Sequence, residues 1–292
     1  MLESKHTNRS GPIFIAIASI CWSFGGLFIK FIPWGAMSIV GLRAFLAAIV
    51  FVIYRRSFKV ELTPGNIMTA VCLSSTTVMY VFANKLTTAA AAILLQFTAP
   101  IFIILIYLIF YKKKPTLSAV IAVLFTLAGM MLFFAENLDT GAFLGNILAL
   151  VSGLSMAGVY VCNKREDTNP ENALFLGFLI NTCIGLPFAF FEVTADISAW
   201  FAVIFLGVIQ VGLAYVFFSK GIKKTPALLA CLISAIEPVL NPIWVLLAGI
   251  FGLLPELEIP GLFALIGGII IILTVVTYNI RVERTADTNS KS

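Results

Sequence analysis

The chain has 292 residues, 60% of them hydrophobic and only 11% charged, with a mean hydropathy of +1.04. Soluble domains carry about 45–50% apolar and about 25% charged residues, so the composition excludes an ordinary soluble fold and predicts an integral membrane protein. The net charge of +5 does not point to nucleic acid, because the basic residues sit at the ends of apolar runs, where they orient a chain in a bilayer.

Apolar runs of about 20 residues, enough to cross about 30 Å of hydrocarbon as a helix, recur along the whole chain. In order they cover about 12–32, 36–54, 65–84, 88–110, 116–134, 141–162, 172–191, 197–219, 226–251 and 259–280. The first follows a short polar tail, is too long for a signal peptide and has no small-residue cleavage site, so it is expected to stay as the first span. Turn signals fall between the runs at Ile32-Pro33-Trp34-Gly35, Thr63-Pro64-Gly65, Lys114-Pro115, Asn169-Pro170, Thr225-Pro226 and Leu254-Pro255. The expectation is an all-α integral membrane protein of ten transmembrane helices with no separate soluble domain.

With ten spans, 16 of the 19 basic residues fall on one side. They are Lys5 and Arg9 in the N-tail, Arg55, Arg56 and Lys59, the run Lys112 to Lys114, Lys164 and Arg165, Lys220, Lys223 and Lys224, then Arg281, Arg284 and Lys291. The excess of Lys and Arg marks the cytoplasmic side and puts both termini there. Glu136, Asp139, Glu192, Asp196, Glu256 and Glu258 occupy the opposite loops.

The five cysteines, Cys21, Cys72, Cys162, Cys183 and Cys231, lie inside apolar runs at wide spacings, which supports neither a disulfide framework nor a metal site. The single histidine, His6, lies in the N-tail. No cofactor or metal is expected. Without a His at depth, an HExxH or a GxSxG motif, an intramembrane protease is not supported, and no GxxxxGK[ST] loop suggests ATP drive.

Short motifs recur. Tyr80 to Lys85, "YVFANK", returns as "YVFFSK" from Tyr215 to Lys220; "QFTAPIF" from Gln96 matches "SAIEPVL" from Ser234, with Pro100 against Pro238; Gly11 to Lys30 aligns with Gly145 to Lys164. The chain reads as one five-helix unit written twice, at 12–134 and 141–280, between cytoplasmic tails 1–11 and 281–292. An odd helix number per unit inverts the second copy, an arrangement that builds many secondary transporters with the site at the repeat interface. This pattern, with "APIF" in the fourth span and "EPV" in the ninth, resembles the drug/metabolite transporter superfamily, specifically its EamA-type members, over nearly the whole chain. The resemblance implies alternating access between the halves and a small organic substrate. The Gly-Glu that many members carry after the fourth and ninth spans is replaced here by "FYKKKP" and "GIFGLLPE".

Within the ninth span, Glu237 lies about 11 residues beyond Pro226, roughly 16 Å deep and close to the midplane, where an ionisable residue is a functional-site hypothesis by default. Asn241 follows one turn later, and Pro238 and Pro242 free two backbone carbonyls, which a membrane tolerates only inside protein or beside a water-filled cavity. The repeat counterparts of Glu237 and Asn241 are Ala99 and Ile103. Glu237 either locks helices together or binds a cationic group, exchanges a coupling proton, or both. Arg43, inside the second span, either snorkels outward, pairs with Glu237 or binds an anionic group.

Trp22, Tyr80, Tyr160, Tyr215 and Trp244 are candidates for an aromatic pocket, which would hold a quaternary ammonium by cation–π contact or an aromatic amino acid by stacking. Gln96, Asn84, Asn163, Asn181 and Gln210 are polar candidates for the pocket or for interhelical bonds. Trp34 and Trp200 are expected in the interfacial belt, and Lys30, Lys85 and Lys220 as end anchors. The expected partners are therefore a small-molecule substrate and the bilayer, with protons as a candidate coupling ion. The best function is a secondary transporter of a cationic or zwitterionic amine or amino acid in the cell membrane. The alternatives are an importer of a quaternary amine such as choline, and a non-transporting receptor or assembly protein.

Overall fold

The structure, a computed structural model, describes residues 10–30, 32–135, 143–250 and 261–291. The expectations placed on His6, Lys5, Arg9, Glu136, Asp139, Glu256 and Glu258 lie outside the described residues, as do the side chains of Lys30 and Asn241. In chain order the helices are α1 (Ser10–Trp22), α2 (Gly25–Lys30), α3 (Ala36–Arg55), α4 (Pro64–Leu86), α5 (Ala89–Gln96), α6 (Ala99–Ile109) and α7 (Leu117–Phe133). They continue with α8 (Phe143–Cys162), α9 (Pro170–Glu192), α10 (Ile197–Phe205), a π-helical segment (Leu206–Leu213), α11 (Ala214–Ile222), α12 (Ala227–Ser234), α13 (Ile236–Ile250) and α14 (Leu262–Lys291). Among the described residues all regular structure is helical. Seven of these stretches are long and apolar enough to cross a membrane, and Ser10–Trp22, Leu117–Phe133 and Ala227–Leu240 are shorter apolar helices. Large apolar side chains such as Phe125, Phe190, Phe191 and Leu273 point outward, a liability in water but not in hydrocarbon.

The proline signals begin helices. Thr63 and Asn169 each accept a hydrogen bond from the backbone of their helix's first turn, with Pro64 and Pro170 at the first helical positions. Proline is tolerated there because its missing N–H would have had no intrahelical partner.

Three runs expected as continuous spans are broken. The first stops at Trp22 and resumes at Gly25, the fourth stops at Gln96, and the ninth stops at Ser234. Proline cannot donate to the carbonyl four residues earlier, and for Pro100 and Pro238 that carbonyl belongs to the last residue of α5 and of α12. At the first break, the Ser23 hydroxyl takes the Ile20 carbonyl at 2.6 Å, a local bond that competes with the helical ladder. The expected disruption at Pro238 and Pro242 is thus displaced to Ala235, and α13 runs through both prolines.

The helix pairs have a regular pattern. The helix α3 packs along α9, α4 along α8, α7 along α14 and α1 along α11; α5 and α6 also touch α8, as α12 and α13 touch α1. Exchanging the two parts of the chain maps this set of pairs onto itself. Two crossings depend on glycine: a side chain on Gly185 would come within 2.5 Å of the Gly41 nitrogen, and one on Gly267 within 2.5 Å of the Gly129 carbonyl.

Two carboxylates join α9 to the first part of the chain at opposite ends. Glu192 accepts from Gly35 N at 3.0 Å and from the Ser38 hydroxyl at the start of α3. Asp167, in the loop before α9, accepts from Gly65 N at 2.9 Å at the start of α4 and pairs with Arg165. The hydrogen bond from Arg165 foremost, and that from Gly65, hold the Asp167 carboxyl below the usual carboxylate range. Trp34 is not a belt residue: it is buried, donates to the Thr194 hydroxyl at 3.2 Å and packs edge-on against Trp200.

Two predictions follow from these contacts. Overpacking a close crossing costs about 1–3 kcal/mol, so Gly41→Val and Gly185→Val lower the melting temperature of the detergent-solubilised protein, whereas Leu124→Ala on the outward face leaves it nearly unchanged; equal melting points for all three would refute the crossing. Because the folded Asp167 value lies below the unfolded one near 3.9 (roughly), its contribution is complete above that pH and is lost as pH falls through the folded value. The melting-point gap between wild type and Asp167→Asn is therefore expected to be constant from neutral pH to about 5 and to close only in stronger acid, measured by thermal denaturation against pH.

Candidate functional site

The interrupted helices surround one cavity. It is lined by Trp22, Arg43, Thr76, Thr77, Tyr80 and Gln96 from the first part of the chain, and by Met156, Val159, Tyr160, Gln210, Val211, Tyr215, Phe218 and Glu237 from the second. Six of the eight residues picked from the sequence as a site therefore meet here. Trp244 does not: its indole donates to the Ser23 hydroxyl at 2.7 Å and its ring stacks on Phe24 at 4.5 Å, which ties α13 to the break between α1 and α2.

Glu237 is in the first turn of α13 rather than in the middle of a continuous helix. The break at Ala235 therefore sets it against the positive end of the α13 dipole, which partly offsets the cost of removing a carboxylate from water. Arg43 comes from the middle of α3 and is only 6% exposed, with Nε and Nη1 unpaired among the described residues. The two lie close enough to attract electrostatically, yet Arg165–Asp167 is the ion pair formed among the described residues. Arg43 therefore does not snorkel, and it is held buried without a hydrogen-bonded counter-ion.

The polar edges of the cavity divide into spent and unspent groups. Tyr160 shares a 2.6 Å hydrogen bond with Ser234, the last residue of α12, so its hydroxyl holds a helix end. Gln96, the last residue of α5, donates to Ser152 at 2.7 Å, and Ser152 donates to the Thr76 carbonyl. Gln210 sits in the π-helical segment and donates to the Trp22 carbonyl at 3.3 Å, a carbonyl freed by the end of α1. Unspent are the Trp22 indole N–H, the Gln210 carbonyl oxygen and Arg43 Nε and Nη1. The remaining amides named from sequence are structural: Asn84 and Asn163 donate to the Tyr80 and Val159 carbonyls of their own helices, and Asn181 accepts from Ser74.

The apolar wall is an aromatic cluster. Trp22 meets Tyr215 at 5.0 Å and Phe218 at 5.5 Å, and Phe218 also meets Tyr160 at 5.5 Å. Rings clamped by other rings keep fixed faces toward the cavity, in the edge-on geometry that aromatic quadrupoles favour. Sequence inspection missed Phe218, Thr76, Thr77 and Met156. Of these, Met156 lies 134 residues after Trp22, at the offset by which Gly145 to Lys164 aligns with Gly11 to Lys30, and that offset alone would have found it.

Comparison with known proteins agrees with the architecture. A crystal structure of 20% sequence identity superposes with a TM-score of 0.78 over 95% of this chain and 99% of its own, which shows the fold. An uncharacterized transporter of Archaeoglobus fulgidus is 27% identical over 269 residues, covering 90% of this chain and 94% of its own. The uncharacterized transporter YwfM of Bacillus subtilis is 27% identical over 245 residues, covering 77% and 81%. The EamA-like transporter family model matches residues 9–135 and 143–280. With these matches and its row of apolar helices, the chain is a multi-pass membrane protein and belongs to the EamA-like transporter family.

Proposed function

We propose that this protein is a secondary active transporter of a small zwitterionic amine, an amino acid being the best fit, that works by alternating access. The observation that carries this reading is one cavity holding both Arg43 and Glu237, neither with a hydrogen-bonded counter-ion among the described residues. A buried ion left without a partner costs several kcal/mol, and a substrate with a carboxylate for Arg43 and an ammonium for Glu237 would repay it at both ends. The Trp22 N–H and the Gln210 oxygen add one donor and one acceptor of matching polarity. Because the cavity is assembled from helices rather than from a nucleotide-binding or catalytic motif, transport rather than enzymatic chemistry is the reading.

The architecture proposed with it has ten spans, both termini cytoplasmic, and two inverted repeats at 12–134 and 141–280 flanked by tails 1–11 and 281–292. Its support is the seven long and three shorter apolar helices, the exchange symmetry of the helix pairs, and an offset in helix boundaries. Ala89–Gln96 and Ala227–Ser234 are both 138 residues apart at each end. The pair of α3 and α9, tied at one end by Glu192 to Gly35 and at the other by the Tyr54 hydroxyl to Glu171 and joined at Gly41 and Gly185, serves as the axle, and the broken helices move around it. Protonation of Glu237 removes a charge from the cavity when the amine leaves, so proton and substrate compete for one carboxylate.

Import of a quaternary amine is favoured by a different observation, the Trp22, Tyr215 and Phe218 rings beside Glu237, because such a cage binds cations by cation–π attraction. The two readings separate at Arg43. A ligand at 100 times its Kd stabilises the folded state by about 2.7 kcal/mol, so thermal shift of purified protein reports binding. Neutral amino acids are expected to stabilise wild type and to lose that effect in both Glu237→Gln and Arg43→Gln. Stabilisation by choline that survives Arg43→Gln would move the assignment to a quaternary amine, and stabilisation by simple anions alone would overturn both. In proteoliposomes, substrate flux through wild type should follow an imposed pH gradient, whereas Glu237→Gln, which no longer binds the substrate, should show no flux above empty vesicles; flux in the variant that still follows the gradient would refute the role of Glu237.

The spent and unspent groups give a second contrast. Tyr160→Phe breaks a buried hydrogen bond worth about 0.5–1.5 kcal/mol and is expected to lower the melting point without ligand. Trp22→Phe removes a buried donor that has no partner along with some ring packing, so it is expected to weaken ligand stabilisation by more than Tyr160→Phe does. The reverse ranking of the ligand-induced shifts would contradict the assignment.

A further inference from the structure

A second hollow lies on the outside of the helix bundle, between α7 and α14. It is lined by Ser118, Ile121 and Phe125 on one side and by Leu273, Thr277 and Arg281 on the other, over a floor that includes Ala122. Ile121, Phe125 and Leu273 are exposed, and from Leu273 to Arg281 the helix rises about 12 Å, somewhat less than the hydrocarbon half of one leaflet at about 15 Å. The groove is apolar along its length and cationic at one end. At that end the Arg281 side chain has no hydrogen bond or ion pair among the described residues. The exposed run Lys112 to Lys114 leads into the Thr116 cap of α7, two residues before Ser118.

From 111 to 135 the sequence has no Asp or Glu, and from 262 to 285 only Glu283, which accepts a hydrogen bond from Asn279. A void facing hydrocarbon does not stay empty, because its lining would forfeit dispersion contacts that an acyl chain supplies. We propose that this groove is a binding site for an anionic phospholipid, with one acyl chain along α7 and α14 and the phosphate at Arg281 and the Lys112–Lys114 run. The arrangement combines a chain-length apolar slot with a cationic mouth at the membrane surface, the combination that selects a phosphate-bearing lipid over a free anion.

The test is native mass spectrometry of full-length protein released from detergent, titrated with short-chain phosphatidylglycerol, with phosphatidylcholine of the same chains, and with inorganic phosphate. Phosphatidylglycerol is expected to remain bound in preference to phosphatidylcholine. Its binding should weaken roughly tenfold in Arg281→Gln, the scale of one charge-assisted contact. Thr277→Trp, which fills the slot and keeps the arginine, should abolish it. Equal retention of both lipids, or wild-type affinity in either variant, overturns the proposal. Inorganic phosphate competing at concentrations equal to the lipid's would reduce the site to an anion site and overturn the role of the groove. A dimer that forms in place of lipid adducts and dissociates in Thr277→Trp would assign the groove to a second copy of the chain.

Discussion

A helix in hydrocarbon has no water to satisfy backbone groups it leaves unpaired, and each such group costs several kcal/mol. That constraint explains where this chain is allowed to break. Helices are interrupted after Trp22, Gln96 and Ser234, and the eighth run of the sequence widens into a π-helical segment around Gln210. All of these irregularities converge on the cavity between the two parts of the chain, where side chains hold the helix ends. Gln210 bonds the Trp22 carbonyl, and the last residues of α5 and α12 bond Ser152 and Tyr160 on the same helix, α8. Elsewhere the long helices run without interruption, and even Pro187 is carried inside α9. The cavity is thus the place where backbone order is exchanged for polar surface, and π-type widenings mark functional positions in many helices for this reason.

The cavity also separates what is written twice from what is written once. Tyr80 and Tyr215 stand 135 residues apart, as the "YVF" motifs predict, and both line it. Trp22 and Met156 are related by 134 residues and line it from opposite sides. The charges have no such partners: at the corresponding offsets Arg43 faces Gly177, and Glu237 faces Ala99. Shape therefore comes from residues that recur at a fixed offset, whereas polarity comes from residues present in one part of the chain only. A cavity with one cation and one anion on opposing halves is polar along an axis, and a zwitterion aligned with that axis is the smallest ligand that satisfies both ends.

Most of this was legible in the sequence because hydropathy and repetition are local or periodic signals. The membrane class, the positions of the apolar runs and six of the residues that line the cavity required only run length, motif offsets and the expense of charge at depth. The failures have physical causes too. Pro238 and Pro242 mark a disturbance but not its location, since a proline disrupts the bond to a carbonyl four residues earlier; counting back from Pro238 and Pro100 gives the observed ends of α12 and α5. Trp244 resembles a pocket aromatic in every local respect, and only the tertiary bond to Ser23, 221 residues away in sequence, takes it out of the cavity wall. Phe218 carries no signal in one sequence, because an aromatic residue in an apolar helix is equally suited to lipid or core.

The distribution of rigid and broken elements bears on how such a fold can move. Glu192 and Asp167 tie α9 to the starts of α3 and α4 at opposite ends, and Gly185 against Gly41 brings the α3 and α9 backbones into contact between them. The Tyr54 hydroxyl near the end of α3 also donates to Glu171 in the first turn of α9 at 3.0 Å, so the α3–α9 pair cannot open at either end without breaking a hydrogen bond to a carboxylate. The segments α2, α6 and α13 have no such cost at the cavity, since each already begins at a break and its first turn is free of the preceding helix's ladder. If the two parts of the chain rock, the motion that requires the fewest broken bonds swings those half-helices about the α3–α9 pair. Glu237, in the first turn of α13, then sits on the moving side and Arg43, in the middle of α3, on the fixed side. A substrate that bridges the two charges would therefore bind across the moving boundary, which is how binding at the cavity gains leverage over its opening.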